Sequence, residues 1–319
     1  MGSSYWSDDF YKDREADRKK KGVDAFAYHA TVAKAAPKDQ KVHDKLNPFG
    51  VKIREARDSK EHPDSLAIGV MLDVTGSMSN VPRVVQKQLP KLMGLLTRTG
   101  YVKDPQILFG AVGDARSDRG SLQVGQFESG IEMDNDLGNM WLEAGGGGSM
   151  EESYQNAIYF FARHTAIDCH EKRAKKGYLF LIGDEKPYPA VSKQQVKTLC
   201  DDGLQEDIPL AEIVKEAQTK FHVFMIIPSH TSYGGNAEVR GVWEKVLGAD
   251  HVIPLENEEA ICEAIALAIG LSEDKATIDG AKKDLLGEGI TAATINSVTA
   301  SLSKLAGGAK ATTGKTARI

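Results

Sequence analysis

Four stretches of the chain are continuously apolar, without the alternation that marks a strand exposed on one face. Apolar runs of about four to eight residues are typical of strands buried on both faces, as in a parallel sheet. The weaker, partly alternating stretch at residues 122–131 predicts an edge strand, antiparallel or irregular. The four apolar runs lie at residues 66–72, 107–112, 178–182 and 221–227.

Between and after these runs, apolar residues recur every three or four positions, which predicts amphipathic helices. Pro90 lies inside the first helical segment and predicts a kink, because proline has no N–H to donate. The alternation over residues 66–271 predicts an α/β domain of the doubly wound class. We expect a mostly parallel, Rossmann-like central sheet with right-handed crossovers and helices on both faces. The helical segments are 85–96, 154–161, 210–217, 239–246 and 261–269, and a short strand at 252–255 precedes the last.

The two ends of the chain differ from this central part. Residues 1–65 are rich in charges of both signs and predict an N-terminal arm that packs loosely on the domain, with one or two exposed helices and a short strand at 51–53. Residues 272–319 contain no aromatic residue and predict a helical tail, with helices around 278–286 and 290–305. The Gly/Ala/Thr/Lys composition after these helices predicts a disordered end.

The composition excludes several classes of protein. Of 319 residues, 41% are hydrophobic and 27% are charged, as in ordinary globular proteins. The formal net charge of −5 gives no general attraction to nucleic acid or anionic lipid, so we expect neither as a partner. No apolar run approaches the roughly 20 residues of a membrane span, and the polar N-terminus lacks the apolar core of a secretory signal. Three widely spaced cysteines form no zinc or disulfide pattern, and a reducing cytoplasm is the simplest compartment.

The candidate chemistry lies where predicted buried strands end. Carboxylates and hydroxyls follow the first and third apolar runs, and the carboxyl ends of parallel strands meet where the strand order reverses. A run of four glycines at 145–148 precedes Ser149 and brings one more hydroxyl. Hard oxygen donors of this kind suit Mg²⁺. The strand-end side chains are Asp73, Thr75 and Ser77 after the first run, and Asp184 and Glu185 after the third.

The pattern Asp-x-Thr-x-Ser, a Gly-rich hydroxyl loop and a strand-end Asp resembles the von Willebrand factor A domain family, in particular its intracellular members. The resemblance covers about residues 66–271 and implies the family's metal-ion-dependent adhesion site. It implies a Mg²⁺ ion, with Mn²⁺ or Ca²⁺ as alternatives, and it places Asp114 and Glu185 beside the ion. The implied metal ligands are Asp73, Thr75, Ser77, Ser149 and Asp184.

The chain departs from the family's pattern at several positions. Thr75 stands where serine is usual, and Ser149 where threonine is usual. The third loop reads Gly-Asp-Glu at 183–185, where the family often has Thr-Asp-Gly. The glycine run also leaves the alignment of Ser149 open by about a residue.

The resemblance implies a non-enzymatic module that binds a partner protein. In the family, a partner's acidic side chain or water completes the coordination of the ion. Two carboxylates and three neutral hydroxyls leave a divalent ion attractive to such an anion, an attraction that Glu185, Glu151 and Glu152 would weaken if they faced the ion. We interpret Glu151 and Glu152 mainly as acids that stabilise the start of the following helix. Intracellular members of the family imply adaptors or subunits of larger complexes, including those built around AAA+ ATPases.

Two other functions stay open at this point. One is a metal-dependent hydrolase of phosphate esters, which needs a general base that only Asp114 or Glu185 offers. The other is a structural assembly subunit with a degenerate metal site. A phosphotransferase of the haloacid-dehalogenase kind is disfavoured, because Thr75 stands where its second acid is required. A P-loop at 314–316 is disfavoured, because Ala309 replaces the required glycine and no buried strand precedes it.

Overall fold

The computed structural model describes residues 5–78 and 80–306. The strands are β1 Arg54–Ala56, β2 Ser65–Asp73, β3 Asp104–Val112, β4 Leu122–Val124, β5 Glu151–Glu152, β6 Thr165–Ile167, β7 Gly177–Ile182, β8 Lys186–Pro187, β9 Ala190–Val191, β10 Ile208–Pro209, β11 Phe221–Pro228 and β12 Val252–Leu255. The helices are α1 Asp8–Lys21, α2 Ala27–Val32, α3 Val81–Lys87, α4 Leu89–Arg98, α5 Glu132–Asn139, α6 Tyr154–Arg163, α7 Asp168–Glu171, α8 Lys193–Cys200, α9 Leu210–Lys220, α10 Ala237–Leu247, α11 Ile261–Ser272, α12 Ile278–Gly287 and α13 Ala292–Ser301.

The core of the fold is a six-stranded sheet in the order β12-β11-β7-β2-β3-β4. All neighbours are parallel except β4, which runs antiparallel to β3 at the edge. This confirms the predicted mostly parallel α/β sheet and its antiparallel edge strand. From β2 the chain adds β3 and β4 on one side, and then it crosses back to add β7, β11 and β12 on the other side. The strand order therefore reverses between β2 and β7. Leu72 pairs with Ile182, and both strands therefore end at the same rim of the sheet.

The apolar runs form strands because both of their faces are covered. Every residue of β2, β3 and β7 is buried, and helices α4 and α11 pack against each other on one side while α6 and α9 do so on the other. Packing on the α6 side is close: a Cβ added at Gly69 would lie 2.2 Å from the ring of Phe161. A glycine in the middle of β2 is therefore required by the helix above it.

The predicted kink at Pro90 is a complete break between two helices. α3 ends at Lys87, and α4 begins at Leu89 with Pro90 in its first turn. Proline fits the first turn because no intrahelical partner is needed for its nitrogen there. The chain therefore changes direction at Gln88 instead of bending a continuous helix.

The N-terminal arm packs more tightly than its charge pattern predicts. Tyr11, Phe26 and Leu46 are buried in the core, and the Tyr11 hydroxyl donates a 2.8 Å hydrogen bond to the carbonyl of Gln86. The backbone N–H of Val124 donates to the carbonyl of Leu46, so the arm also packs along β4, the edge strand of the sheet. The expectation of a loosely packed arm was wrong, because apolar anchors lie between its charges. The boundary at 65/66 stays a prediction.

The short strand expected at 51–53 lies slightly later, at β1, where it pairs in parallel with β6. The C-terminal helices α12 and α13 occupy the two predicted segments. α13 packs beside the other edge of the sheet, where the Ser301 hydroxyl donates to the carbonyl of Pro254 in β12 at 2.6 Å. The expected disordered end and the segment 314–316 lie outside the described residues.

Among residues 5–78 and 80–306, each helix is either too short or too polar to cross a lipid bilayer.

Candidate metal centre

The first loop of the candidate site begins where β2 ends, at Asp73. Its Oδ1 accepts hydrogen bonds from the backbone N–H of Thr75 at 2.9 Å and from the Thr75 hydroxyl at 2.5 Å. The Ser77 hydroxyl lies 3.1 Å from that of Thr75. A carboxylate and two hydroxyls from alternate positions therefore converge, as the spacing predicts.

The third loop joins this group through Asp184, two residues beyond β7. Asp184 Oδ1 accepts a 2.7 Å hydrogen bond from the Ser77 hydroxyl, and Oδ2 accepts one from the backbone N–H of Tyr233 at 2.9 Å. Side chains more than a hundred positions apart in sequence thus meet at the strand-order reversal, which is the usual ligand crevice of open α/β sheets. Asp73 and Asp184 are both fully buried.

Tyr154, at the start of α6, is a member of this site that no motif in the sequence indicated. Its hydroxyl donates a 2.5 Å hydrogen bond to Asp73 Oδ2. Burial, and after it the charge of Asp73, raises the pKa of Tyr154 well above its usual value, so the phenol stays a donor. The ring passes over Gly183, where an added Cβ would lie 1.9 Å from the Tyr154 hydroxyl. Gly183, which departs from the family's usual threonine, makes room for this contact.

Substituting Gly183 tests this arrangement. Gly183→Ala is expected to lower the free energy of unfolding by about 2 kcal/mol, because the new methyl group must displace Tyr154 from Asp73 in a packed core. Urea denaturation with and without Mg²⁺ measures the effect. Gly241→Ala is the matched control: it lies in α10 with nothing within 4 Å of the added Cβ, and it should stabilise by up to about 1 kcal/mol. Equal stability of the two variants would contradict the proposed packing.

Three carboxylates approach one another at the centre of the site. One carboxylate oxygen each from Asp73, Asp184 and Glu185 lies within 4.8 Å of the others. Within the described part of the chain, no other set of three or more Asp, Glu, His or Cys side chains meets this spacing. Glu185, expected beside the ion, therefore lies in the same group of carboxylates as Asp73 and Asp184.

Glu152 also lies near this cluster, since the charge of Asp73 is among the main influences on its pKa, and it contacts the start of the following helix as well. It is fully buried, its Oε1 accepts from the backbone N–H of Ser153 at 2.8 Å, and its Oε2 has no hydrogen-bond partner. The reason is the two-residue strand β5, which pairs with β8 and turns successive side chains to opposite sides. Glu151 faces outward and interacts with the charge of Lys186.

The buried acids resist ionisation. Burial is the main cause of each upward shift: the pKa of Asp73 rises to about 7, although hydrogen bonds from Thr75 and Tyr154 oppose the shift. For Glu185 and Glu152 the charge of Asp73 is the next cause, and their pKa values rise to about 8 and about 10. No lysine or arginine is among the main influences on these three groups.

Within residues 5–78 and 80–306, no hydrogen bond joins Ser149 to Asp73, Asp184 or Glu185. It lies exposed in the glycine loop, and its hydroxyl donates at 3.4 Å to the carbonyl of Glu151. Asp114 is buried beside the same glycine loop. Its carboxylate accepts from the Tyr188 hydroxyl, with oxygen–oxygen distances of 3.2 and 3.3 Å. A Cβ added at Gly147 would lie 2.6 Å from Asp114 Oδ2, so the glycine permits a close approach of the loop.

The donor set fits a hard divalent cation. All its members offer oxygen, and the hydroxyls of Thr75 and Ser77 donate their hydrogens to carboxylates, which leaves their lone pairs available. Glu152 and Glu185 each have a buried Oε2 without a donor, and an unpaired buried carboxylate oxygen costs free energy that a cation recovers. Whether an ion binds stays a prediction of the sequence.

Solved structures at 10–12% sequence identity resemble this chain. No family model and no curated protein matches the sequence. The pilus adhesin SpaC from Lactobacillus rhamnosus GG, in its open conformation, is similar in structure with 10% identity and a TM-score of 0.46, over 69% of this chain and 31% of that one. Proximal thread matrix protein 1 from the mussel byssus has 12% identity and a TM-score of 0.42, over 65% and 48%.

An aerotolerance-related membrane protein from Bacteroides fragilis has 11% identity and a TM-score of 0.35, over 64% of this chain and 98% of that one. The chain spans between about a third and a half of the first two proteins. The sheet described above establishes the class: this is an α/β chain with a mostly parallel, Rossmann-like central sheet and an appended C-terminal helical region.

Proposed function

We propose that this chain is a divalent-cation-dependent protein-binding module of the von Willebrand A type. The observation that carries the proposal is the buried group of Asp73, Asp184 and Glu185, whose oxygens lie within 4.8 Å of one another next to two hydroxyls. Buried carboxylates are stable when they are paired or coordinate a metal, and no basic side chain is among the main influences on Asp73 or Glu185. The strand-end positions of the Asp-x-Thr-x-Ser motif and of Asp184 support the family assignment.

The side chains at the rim have different roles in binding the cation. Asp73, Asp184 and Glu185 supply negative charge, and Thr75 and Ser77 supply neutral oxygens, for Mg²⁺, Mn²⁺ or Ca²⁺. When bound, the cation supplies a positive charge able to attract an anionic group. Tyr154 holds Asp73 in place from below, and the backbone N–H of Tyr233 does the same for Asp184.

The partner is proposed to offer an acidic side chain at the solvent side of the site. Gly76 and the loop end at Gly148 and Ser149 are exposed, and Ser77 is half-buried, so the oxygens are reached from the rim. The resemblance to intracellular family members supports an adaptor or complex subunit, including one that works with an AAA+ ATPase.

Capture of partner proteins with and without chelator tests this function. Wild-type protein is expected to retain a partner in Mg²⁺ and to release it in EDTA. Asp184→Asn should lose at least about tenfold in retention, because it removes a charge from the cation while keeping the hydrogen-bonding shape. Glu151→Gln, whose side chain faces away from the site, is the matched control and should behave as wild type. Retention by Asp184→Asn equal to that of wild type would refute the proposal.

The alternative of a metal-dependent hydrolase draws on Glu185 Oε2, which has no hydrogen-bond donor and is therefore free to act as a base. Asp114, the other candidate base, is already engaged by the Tyr188 hydroxyl and by the backbone N–H of Arg116. Mg²⁺-dependent turnover of p-nitrophenyl phosphate that Glu185→Gln abolishes would favour this alternative.

A further inference from the structure

The rim of the sheet carries more carboxyl groups than one divalent ion neutralises once they are ionised. Five carboxyl groups gather there, and none is more than 6% exposed. The charges of Asp73, Glu185 and Asp114 influence the pKa of Glu152, and Asp184 lies within 4.8 Å of Asp73 and Glu185, so the five belong to one cluster. One divalent ion would leave three of these charges without compensation if all five were ionised, whereas two would leave one. The carboxyl groups are those of Asp73, Asp114, Glu152, Asp184 and Glu185.

Glu185 occupies the middle of this cluster. On one side its carboxylate lies within 4.8 Å of those of Asp73 and Asp184. The charge of Glu185 is also among the main influences on the pKa of Glu152, so the two carboxyl groups are neighbours. It is therefore placed to contribute to a position beyond the first cation.

Glu152 supplies the independent indication that this position takes a ligand. Its side chain is fully buried, its Oε2 has no donor, and Glu185 Oε2 also lacks one. Two unpartnered carboxylate oxygens facing the same buried region are costly in free energy unless a cation or a proton lies between them. Asp114 adds a further buried carboxylate near them, held by a hydroxyl and a backbone N–H instead of a basic side chain.

We propose that a second divalent cation binds between Glu152 and Glu185, on the Asp114 side of the first. The inference rests on the proposed function, since it takes the first cation at Asp73 and Asp184 as given. Hard oxygen donors select Mg²⁺ or Mn²⁺ at this second position as well. Glu185 is shared between the two cations, as carboxylates are in sites that hold two metals.

The second cation bears directly on the chemistry of the partner. When Glu152 and Glu185 are ionised beside a single divalent ion, their excess negative charge repels an incoming carboxylate. With two, the cluster is nearly neutral, and an acidic side chain is able to approach the metal at the rim. The second cation therefore makes an acidic partner compatible with this unusually carboxylate-rich site.

Mn²⁺ binding tests the proposal, with calorimetry for stoichiometry and electron paramagnetic resonance for the distance between ions. Wild-type protein is expected to bind two Mn²⁺ per chain and to show the broadened spectrum of two neighbouring ions. Glu152→Gln should bind one Mn²⁺ and show the sharp spectrum of an isolated ion. The affinity of this remaining ion should lie within about tenfold of that of the first site in the wild type. Glu151→Gln, one residue away but facing outward, should still bind two.

The possible results separate the second cation from the proposed function. A single Mn²⁺ in the wild type, or two in Glu152→Gln, would overturn the second cation while leaving the first intact. No Mn²⁺ in the wild type would overturn the proposed function itself. The wild-type stoichiometry decides the question even if Glu152→Gln does not fold, and circular dichroism establishes whether it does.

Discussion

Asp73→Asn is expected to weaken Mg²⁺ binding by on the order of 100-fold or more. Loss of a residue that only supports a metal ligand typically costs 10- to 100-fold in affinity, and Asp73 is proposed as a direct ligand. The substitution keeps the size of the side chain and the oxygen that accepts from Thr75, so the fold should persist. Isothermal titration with Mg²⁺ measures the affinity.

The same substitution is expected to leave the stability of the metal-free protein unchanged or to raise it. Metal-free Asp73→Asn should be at least as stable as the metal-free wild type at pH 8, because it removes a buried carboxylate whose pKa burial raises to about 7. Thermal melts in EDTA measure this difference, and Glu151→Gln serves as the control with unchanged affinity and stability. Unaltered Mg²⁺ affinity in Asp73→Asn would exclude this residue as a ligand.

The stability of the metal-free protein is expected to fall as the pH rises from 6.5 to 9, by on the order of 5 kcal/mol. Burial, and then the charge of Asp73, raises the pKa of Glu185 to about 8 and of Glu152 to about 10. In the unfolded chain both carboxyls are already ionised above about pH 5. The folded protein therefore holds more protons than the unfolded protein across this range, and this excess makes the free energy of unfolding decrease as the pH rises.

Urea denaturation in EDTA at several pH values measures this slope. The range begins at pH 6.5 because His222, whose pKa burial lowers to about 4, contributes with the opposite sign at lower pH. Saturating Mg²⁺ should remove most of the slope, since the cation replaces the protons, and Glu152→Gln should reduce it without metal. A metal-free stability that is flat or rises over this range would contradict the account of the buried acids.

The main strands were predictable because burial on both faces leaves a direct trace in the sequence. Residues 66–72 and 178–182 are apolar throughout, and both form central strands. Their ends were equally visible, since Asp73 and Asp184 are the first charged residues after each run. The convergence of these two side chains followed from the rule that parallel strands end at a common rim.

The parts that were missed depend on contacts between distant elements. Tyr154 begins a helix whose apolar stripe predicts core packing, and only the placement of α6 over Gly183 shows that its hydroxyl reaches Asp73. Glu152 precedes the same helix, and its inward direction is set by the pairing of β5 with β8. Tyr11 stands among charged residues with no apolar periodicity, so its burial was not predictable from the charge pattern of the arm.

A crystal structure of the protein soaked in Mn²⁺, with anomalous scattering recorded for the metal, tests the central claim most directly. The account predicts an anomalous peak at the reversal of strand order, within roughly 2 Å of carboxylate oxygens of Asp73 and Asp184. The account would be contradicted if crystals that have taken up Mn²⁺ showed no anomalous peak at this rim. It would also be contradicted if the Mn²⁺ were bound only by other residues.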